Sequence, residues 1–270
     1  MSRAIFLGSF NPPHKGHYDV INSVIESGIM ESANIDKIHI IPCYQNPNKN
    51  KFTVPFIKRY QMVYFMFGPL IRKGFVCPDD IEDQLKPHCE YTYELINWFN
   101  SGHDECINKN KEGFWWIITT ETLDEIIEGK WKHSSELLYD NNFIVVHKKD
   151  EDMSKYYEMV RTNKLVAFFV ELKSNANFHS TQLREKVKNG ESIEEETNDR
   201  VDWYIKDQNL YKAEEFLKIG QWYECCKEHN NIKIGDKFKF TEWPCYSVNE
   251  HGKPYVLTPS EEYFKKIYKD

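Results

Sequence analysis

The chain has 270 residues, 40% of them apolar and 29% charged, enough for one sizeable core with an appendage or for two small domains. No apolar run is long enough to cross a bilayer, and the N-terminal stretch turns polar too soon for a secretory signal, so a cytosolic or nuclear location is expected. A net charge of −7 argues against general nucleic-acid binding, but an anionic small molecule needs only local positive potential. The seven cysteines are scattered, odd in number and lack a C-x-x-C pair, which points to reduced thiols rather than disulfides or a zinc knuckle.

In chain order, short apolar runs at 4–7, 38–41, 75–77, 114–118, 143–146 and 165–170 are β-branched or aromatic and do not alternate strictly. That is the pattern of strands buried on both faces. Amphipathic stretches at 17–25, 54–67, 91–99, 121–128 and 152–161 read as helices between them. Strand, helix, strand at this spacing predicts a parallel sheet covered on both sides, a doubly wound, Rossmann-like α/β domain. Two more helices are expected at 181–188 and 198–205, with an acidic tract over 191–202 that reads as solvated surface. Beyond Tyr211 the pattern changes. Residues 214–228 look helical, 232–240 alternate like a strand, and Pro244, Pro254 and Pro259 punctuate the remainder. The expected organisation is one domain over 1–211 and a small α+β appendage over 212–270 of unassigned role. A tail this short needs a partner surface, either the main domain or a second copy of the chain in a homo-oligomer.

The strongest local signal is Gly8-Ser-Phe-Asn-Pro-Pro-His-Lys-Gly-His17, directly after the first strand and opening the first helix. In an open α/β sheet this is where ligands bind. A helix N-terminus presents unpaired N–H groups and partial positive charge, both favourable for phosphate. Gly8 and Gly16 remove side chains where backbone must come close to a ligand. His14 and His17, three residues apart, can aim both imidazoles at one point, where N–H donors would stabilise charge building on a reacting phosphate. The string is neither a Walker A loop nor a G-x-G-x-x-G fingerprint.

This string resembles the His-x-Gly-His signature of the nucleotidyltransferase superfamily, and its Gly-Ser-Phe-Asn-Pro lead-in is similar to nicotinamide and nicotinate mononucleotide adenylyltransferases. A second motif of that family, Ile-Ser-Ser-Thr-x-x-Arg, is matched by Phe178-His-Ser-Thr-Gln-Leu-Arg184. Further matches run through Asn46 to Thr53 with its lysines, Arg59-Tyr-Gln-Met62, Glu90 to Ile96, Trp116 to Leu123, Trp131-Lys132, the strand ending at Val146, and Tyr204 to Tyr211. The resemblance thus spans roughly residues 3–211.

It implies transfer of AMP from ATP to a pyridine mononucleotide, releasing pyrophosphate. His14, His17 and Arg184 would be the catalytic groups. Gly8, Ser9, Phe10, Gly16, Lys49 (or Lys51), Glu121, Ser180 and Thr181 would bind ATP, with Ser180 and Thr181 capping a helix and Arg184 clamping phosphate oxygens. Asn11, Tyr91, Thr92 and Trp131 would bind the mononucleotide, Trp131 by stacking on the pyridine ring. Mg2+ would arrive with ATP and bridge phosphate oxygens, without metal ligands from the protein. The implied partners are ATP and the mononucleotide, with neither nucleic acid nor membrane.

Two departures stand out. Thr119-Thr120-Glu121 replaces the family's Gly-Ala-Asp, and His179 replaces the first serine of Ser-Ser-Thr. Three other readings stay open: a pantetheine-phosphate adenylyltransferase, which His17-Tyr-Asp-Val-Ile21 resembles; an aminoacyl-adenylate enzyme; and a nucleotide sensor without turnover. The choice between amide and acid on the pyridine ring is open as well.

Overall fold

The computed structural model describes residues 2–44, 54–85, 92–100, 114–174 and 178–211, and beyond them strands at 222–225, 237–242, 246–249, 254–256 and 264–267. Ala4, Ile5 and Phe6 are consecutive and all buried, as are Phe143, Ile144, Val145 and Val146. Neighbouring strand residues face opposite sides, so such runs need cover on both faces of the sheet. The chain provides it. Six strands, β1 (Ser2–Gly8), β2 (Ile35–Pro42), β3 (Val76–Pro78), β4 (Trp115–Thr119), β5 (Asn142–His147) and β6 (Val166–Glu171), pair in parallel in the order β3-β2-β1-β4-β5-β6. Strand addition reverses direction between β1 and β4, and the crevice beyond the carboxyl ends of such a pair is the ligand-binding position of open α/β sheets. The register Phe6↔Ile117 sets these two strand ends side by side.

The helices are α1 (Lys15–Glu26), α2 (Ile29–Ser32), α3 (Phe56–Met66), α4 (Gly68–Arg72), α5 (Ile81–Leu85), α6 (Thr92–Asn100), α7 (Thr120–Ile127), α8 (Ser134–Tyr139), α9 (Ser154–Arg161), α10 (Ser180–Lys188) and α11 (Asp199–Asp207). Apolar residues of α1, α3, α4, α10 and α11 meet Phe6, Ile38 and Ile40 in one core. Those of α6, α7, α8 and α9 meet Ile5, Ile41, Trp116 and Phe143 in the other. Among the described residues no helix is long and apolar enough to cross a membrane.

Two expectations for this part need correction. The first helix begins at Lys15, two residues before the expected start. The acidic tract is not simply solvated surface. Ile193, Thr197 and Asp202 are buried. Asp202 accepts the Ile193 N–H at 2.9 Å and pairs with Lys206. The Glu196 carbonyl accepts the Lys15 N–H at 2.8 Å. Charge runs point outward only when the backbone beneath them has no other work, and here the tract braces the start of α1.

The chain divides into two compact units, Met1–Tyr211 and Lys212–Asp270. The described part of the second is a five-stranded antiparallel sheet, β7 (Trp222–Cys225), β8 (Lys237–Glu242), β9 (Tyr246–Asn249), β10 (Pro254–Val256) and β11 (Phe264–Ile267), in the order β10-β9-β8-β7-β11. A helix over 214–228 is therefore wrong at 222–225; the rest of that range lies outside the described residues. Trp222 and Tyr223 pair with Lys239 and Phe238. Aromatic residues fit a pleated surface, and long-range strand pairing overrides a helical period in a short apolar run. The expected strand over 232–240 begins, among the described residues, at Lys237.

Candidate active site

The turn between β1 and α1 is built around its glycines. A Cβ on Gly16 would lie 3.0 Å from His14 Nδ1, and one on Gly8 would lie 3.0 Å from Phe10 Cζ. Both glycines thus leave room for a ring of the same turn. His14 occupies the N-cap of α1 with extended backbone, and His17 stands in the first turn. Their ring centroids are 3.8 Å apart. The His14 N–H donates to His17 Nδ1 at 3.2 Å. An accepting Nδ1 carries no proton, so a neutral His17 holds its proton on Nε2. Phe10 is core rather than lining: it is 1% exposed and meets the His17 ring edge-on at 5.0 Å. Its expected contact with ATP can involve backbone only, because the ring supports His17 instead.

His14 is buried, and burial, assisted by the nearby His179, lowers its pKa to about 4. The ring is therefore neutral near pH 7. Its Nδ1 is sealed from solvent without a partner among the described residues.

Helix α10 brings the second motif to the same place. Ser180 donates to the Pro12 carbonyl at 3.0 Å. Arg184 donates to the Asn11 carbonyl at 2.8 Å and to Thr181 Oγ1 at 3.0 Å. Neither α1 nor α10 has an acidic residue in its first turn. Two helix N-termini thus converge with no carboxylate in either first turn, which favours a polyanion.

The other expected residues lie elsewhere or outside the description. Glu121 is exposed in the first turn of α7, which Thr119 caps beyond β4, while Thr120 is buried. Thr92 opens α6, and the next residue, Tyr93, stacks on His133 at 4.2 Å. Trp131 is half-buried, edge-on to Trp116 at 5.9 Å, with Nε1 donating to Glu125 at 2.9 Å. Thr92 and Trp131 thus belong to the part of the chain that packs on the face covered by α6 to α9. Lys49, Lys51 and Tyr91 lie outside the described residues. Among the described residues no cluster of three His, Cys, Asp or Glu side chains could hold a metal.

Two residues that carry the turn received no role from the sequence. Arg59 is 1% exposed and donates to the carbonyls of Ser9 (2.7 Å), Val54 (2.8 Å) and Tyr44 (2.9 Å). The signal was present, since Arg59 shares the buried stripe Phe56, Met62, Val63 and Met66 of α3, and an arginine there must find acceptors. Tyr211 is the second: its hydroxyl donates to Asn11 Oδ1 at 2.8 Å. Only the tertiary fold brings position 211 to position 11.

Beside Arg59, Glu82 accepts the Tyr44 N–H. Burial raises its pKa from 4.5 to about 7, against the lowering effects of that bond and of Arg59. Glu82 and His14 then act oppositely on stability. The buried neutral His14 contributes fully above 6.5, and its contribution is lost as pH falls through about 4. The Glu82 contribution is fully present below 4.5 and is lost as pH rises through about 7. Glu82→Gln should therefore gain stability relative to the parent chain as pH rises from about 4.5 to 7. Urea unfolding across that range measures the difference, and a pH-independent offset would contradict it.

Helix N-termini converging on a histidine pair at the switch point of a parallel sheet define an α/β protein built to handle phosphates. The chain belongs to the cytidylyltransferase-like family, which matches residues 5–186. Its relatives include a probable nicotinate-nucleotide adenylyltransferase of Campylobacter jejuni (strain 81-176), 28% identical over 194 residues, which cover 70% of this chain and 95% of that protein. A probable nicotinate-nucleotide adenylyltransferase of Clostridium botulinum (strain Loch Maree / Type A3) is 28% identical over 218 residues, covering 78% of this chain and 100% of that protein. Among solved structures, Plasmodium falciparum nicotinic acid mononucleotide adenylyltransferase complexed with NaAD superposes with a TM-score of 0.60 at 19% identity, over 78% of this chain and 97% of that one. The same enzyme complexed with APC gives 0.59. These likenesses establish the fold.

Proposed function

We propose that the chain is an adenylyltransferase joining ATP to nicotinate or nicotinamide mononucleotide, giving deamido-NAD or NAD and pyrophosphate. The observation that carries this is the His14–His17 pair, with His14 held neutral by burial, between the N-termini of α1 and α10, with Arg184 beside it. The names of the relatives support the choice of substrate. A phosphate oxygen of the mononucleotide attacks the α-phosphorus of ATP. The bond from that phosphorus to the oxygen bridging to the β-phosphate breaks, and pyrophosphate leaves. The nucleophile is already anionic, so no general base is required. What the site must supply is donors for charge on the α-phosphate and on the leaving group.

His17 Nε2–H and the His14 ring meet the α-phosphate. Ser180, Thr181 and Arg184 meet the β- and γ-phosphates, with Lys49 or Lys51 and the backbone of Gly8, Ser9, Phe10 and Gly16 completing the cradle. Glu121 takes the ribose hydroxyls, and Trp131, Thr92, Tyr91 and Asn11 take the mononucleotide. Mg2+ enters as part of the MgATP substrate, held by phosphate oxygens. Pyrophosphate release from ATP with a panel of pyridine, pantetheine and amino-acid acceptors tests the assignment; turnover confined to another acceptor would overturn it.

Arg184→Ala is expected to raise the KM for ATP about tenfold or more and to slow turnover, with only partial rescue by Arg184→Lys. Lysine supplies charge without the planar fork that spans Asn11 and Thr181, so steady-state kinetics with full recovery in the lysine variant would contradict the clamp. Every described residue named above lies within Met1–Tyr211. A chain ending at Tyr211 is therefore expected to keep turnover, and a soluble, folded but inactive truncation would assign part of the site to the second unit.

A further inference from the structure

We propose that Tyr211 is a positioning residue: it orients the Asn11 carboxamide so that the amide N–H2 becomes the donor offered to an acceptor oxygen of the bound mononucleotide. This rests on the reaction proposed above. Asn11 lies in the turn between β1 and α1, and its Oδ1 accepts from Tyr211 at 2.8 Å and from the Val54 N–H at 3.4 Å. With the oxygen held by two donors, Nδ2 must point the other way. No group among the described residues accepts from Nδ2, and it is not among the sealed, unpaired side-chain atoms. Flipping the amide would set its N–H2 against the Val54 N–H, two donors facing each other.

The 3.4 Å bond from Val54 is weak by length, so Tyr211 supplies most of the preference. Its hydroxyl is well suited to this. Burial pushes its pKa upward, so it stays a donor across the working pH range. Arg184 donates to the Asn11 backbone carbonyl and Arg59 to that of Ser9, so main chain and side chain are held independently. Tyr211 also sits in the left-handed region, at φ 61°. A bulky residue keeps that conformation only where surrounding contacts over-determine it. The strain and the bond to Asn11 fall on one residue, the last of the first unit.

The test is a double-mutant cycle in the full-length chain with Tyr211→Phe, Asn11→Ala and the pair. Phenylalanine keeps the ring and removes only the hydroxyl. Tyr211→Phe should raise the KM for the mononucleotide about fivefold to tenfold, the scale of one neutral hydrogen bond, and leave the KM for ATP within about twofold. In the Asn11→Ala background the same change should have no further effect on the mononucleotide. An equal effect in both backgrounds, or none in the parent chain, would overturn the proposal. Because a purely structural role would weaken both substrates alike, the split between the two KM values separates positioning from general loosening. The cycle can also be read as dissociation constants by calorimetry with the mononucleotide alone. A failed assignment of the reaction would abolish binding in the parent chain, whereas a failed positioning role would leave binding there but no coupling between residues 11 and 211.

Discussion

His17→Ala is expected to lower kcat by about 10² to 10³, the scale for removing one preorganised transition-state donor. In the proposed reaction the ring would meet the reacting phosphate through Nε2, because Nδ1 is committed to the His14 N–H. The KM for ATP should change much less, since the two helix N-termini and Arg184 still hold the triphosphate. The thermal midpoint should fall by only a few degrees, because the variant loses one cap-like bond worth about 1 kcal/mol. His17→Glu separates the two roles. A glutamate three residues into the helix can reach back to the cap N–H and recover stability, yet it places negative charge where negative charge accumulates. It should be as inactive as the alanine variant or more so. Steady-state kinetics with calorimetric melting checks both statements, and a His17→Ala enzyme within about threefold of the parent kcat would remove His17 from the chemistry.

Arg59→Met should have the largest effect on stability, a loss of about 3–5 kcal/mol measured by urea unfolding. Methionine relieves the desolvation of a buried cation but strands the carbonyls of Ser9, Tyr44 and Val54. A buried acceptor left without a donor costs about 1–3 kcal/mol, so three of them outweigh the relief. Arg59→Lys should fall in between, because one ammonium cannot meet three carbonyls in the geometry of a guanidinium fork. Turnover should fall in the methionine variant even below its melting temperature, since the Ser9 carbonyl precedes the Asn11–His17 segment. An unfolding free energy within about 1 kcal/mol of the parent chain would show that the guanidinium is dispensable.

Much of this could be read in advance where chemistry and local backbone coincide. The string from Gly8 to His17 announces a strand-to-helix turn through its glycines, its prolines and the residues that follow, and each of those signals acts within a few positions. The parallel sheet was legible for a similar reason. Runs such as Phe143 to Val146 are apolar on both faces, and only cover on both sides accommodates that pattern. Trp222 to Cys225 was misread because four residues carry too little periodic information, and strand partners at Phe238 and Phe264 decided the outcome. The acidic tract was misread because its charge was visible while the hydrogen bonds of its backbone to Lys15 and Asp202 were not.

The division between the two levels follows the range of the forces. Amino-acid order alone singled out the candidates for handling phosphate, His14, His17, Ser180, Thr181 and Arg184, and the segments that pair as strands of the main sheet. Those choices rest on side-chain chemistry and on periodicities of a few residues. Tertiary structure alone decided the state in which these groups work. Burial keeps His14 neutral, the His14 N–H assigns the His17 proton to Nε2, Phe10 turns inward as a support, and Arg59 and Tyr211 hold Ser9 and Asn11 from positions 50 and 200 residues away. Protonation, tautomer and amide orientation depend on the groups that surround an atom, and those neighbours are set by folding rather than by proximity along the chain.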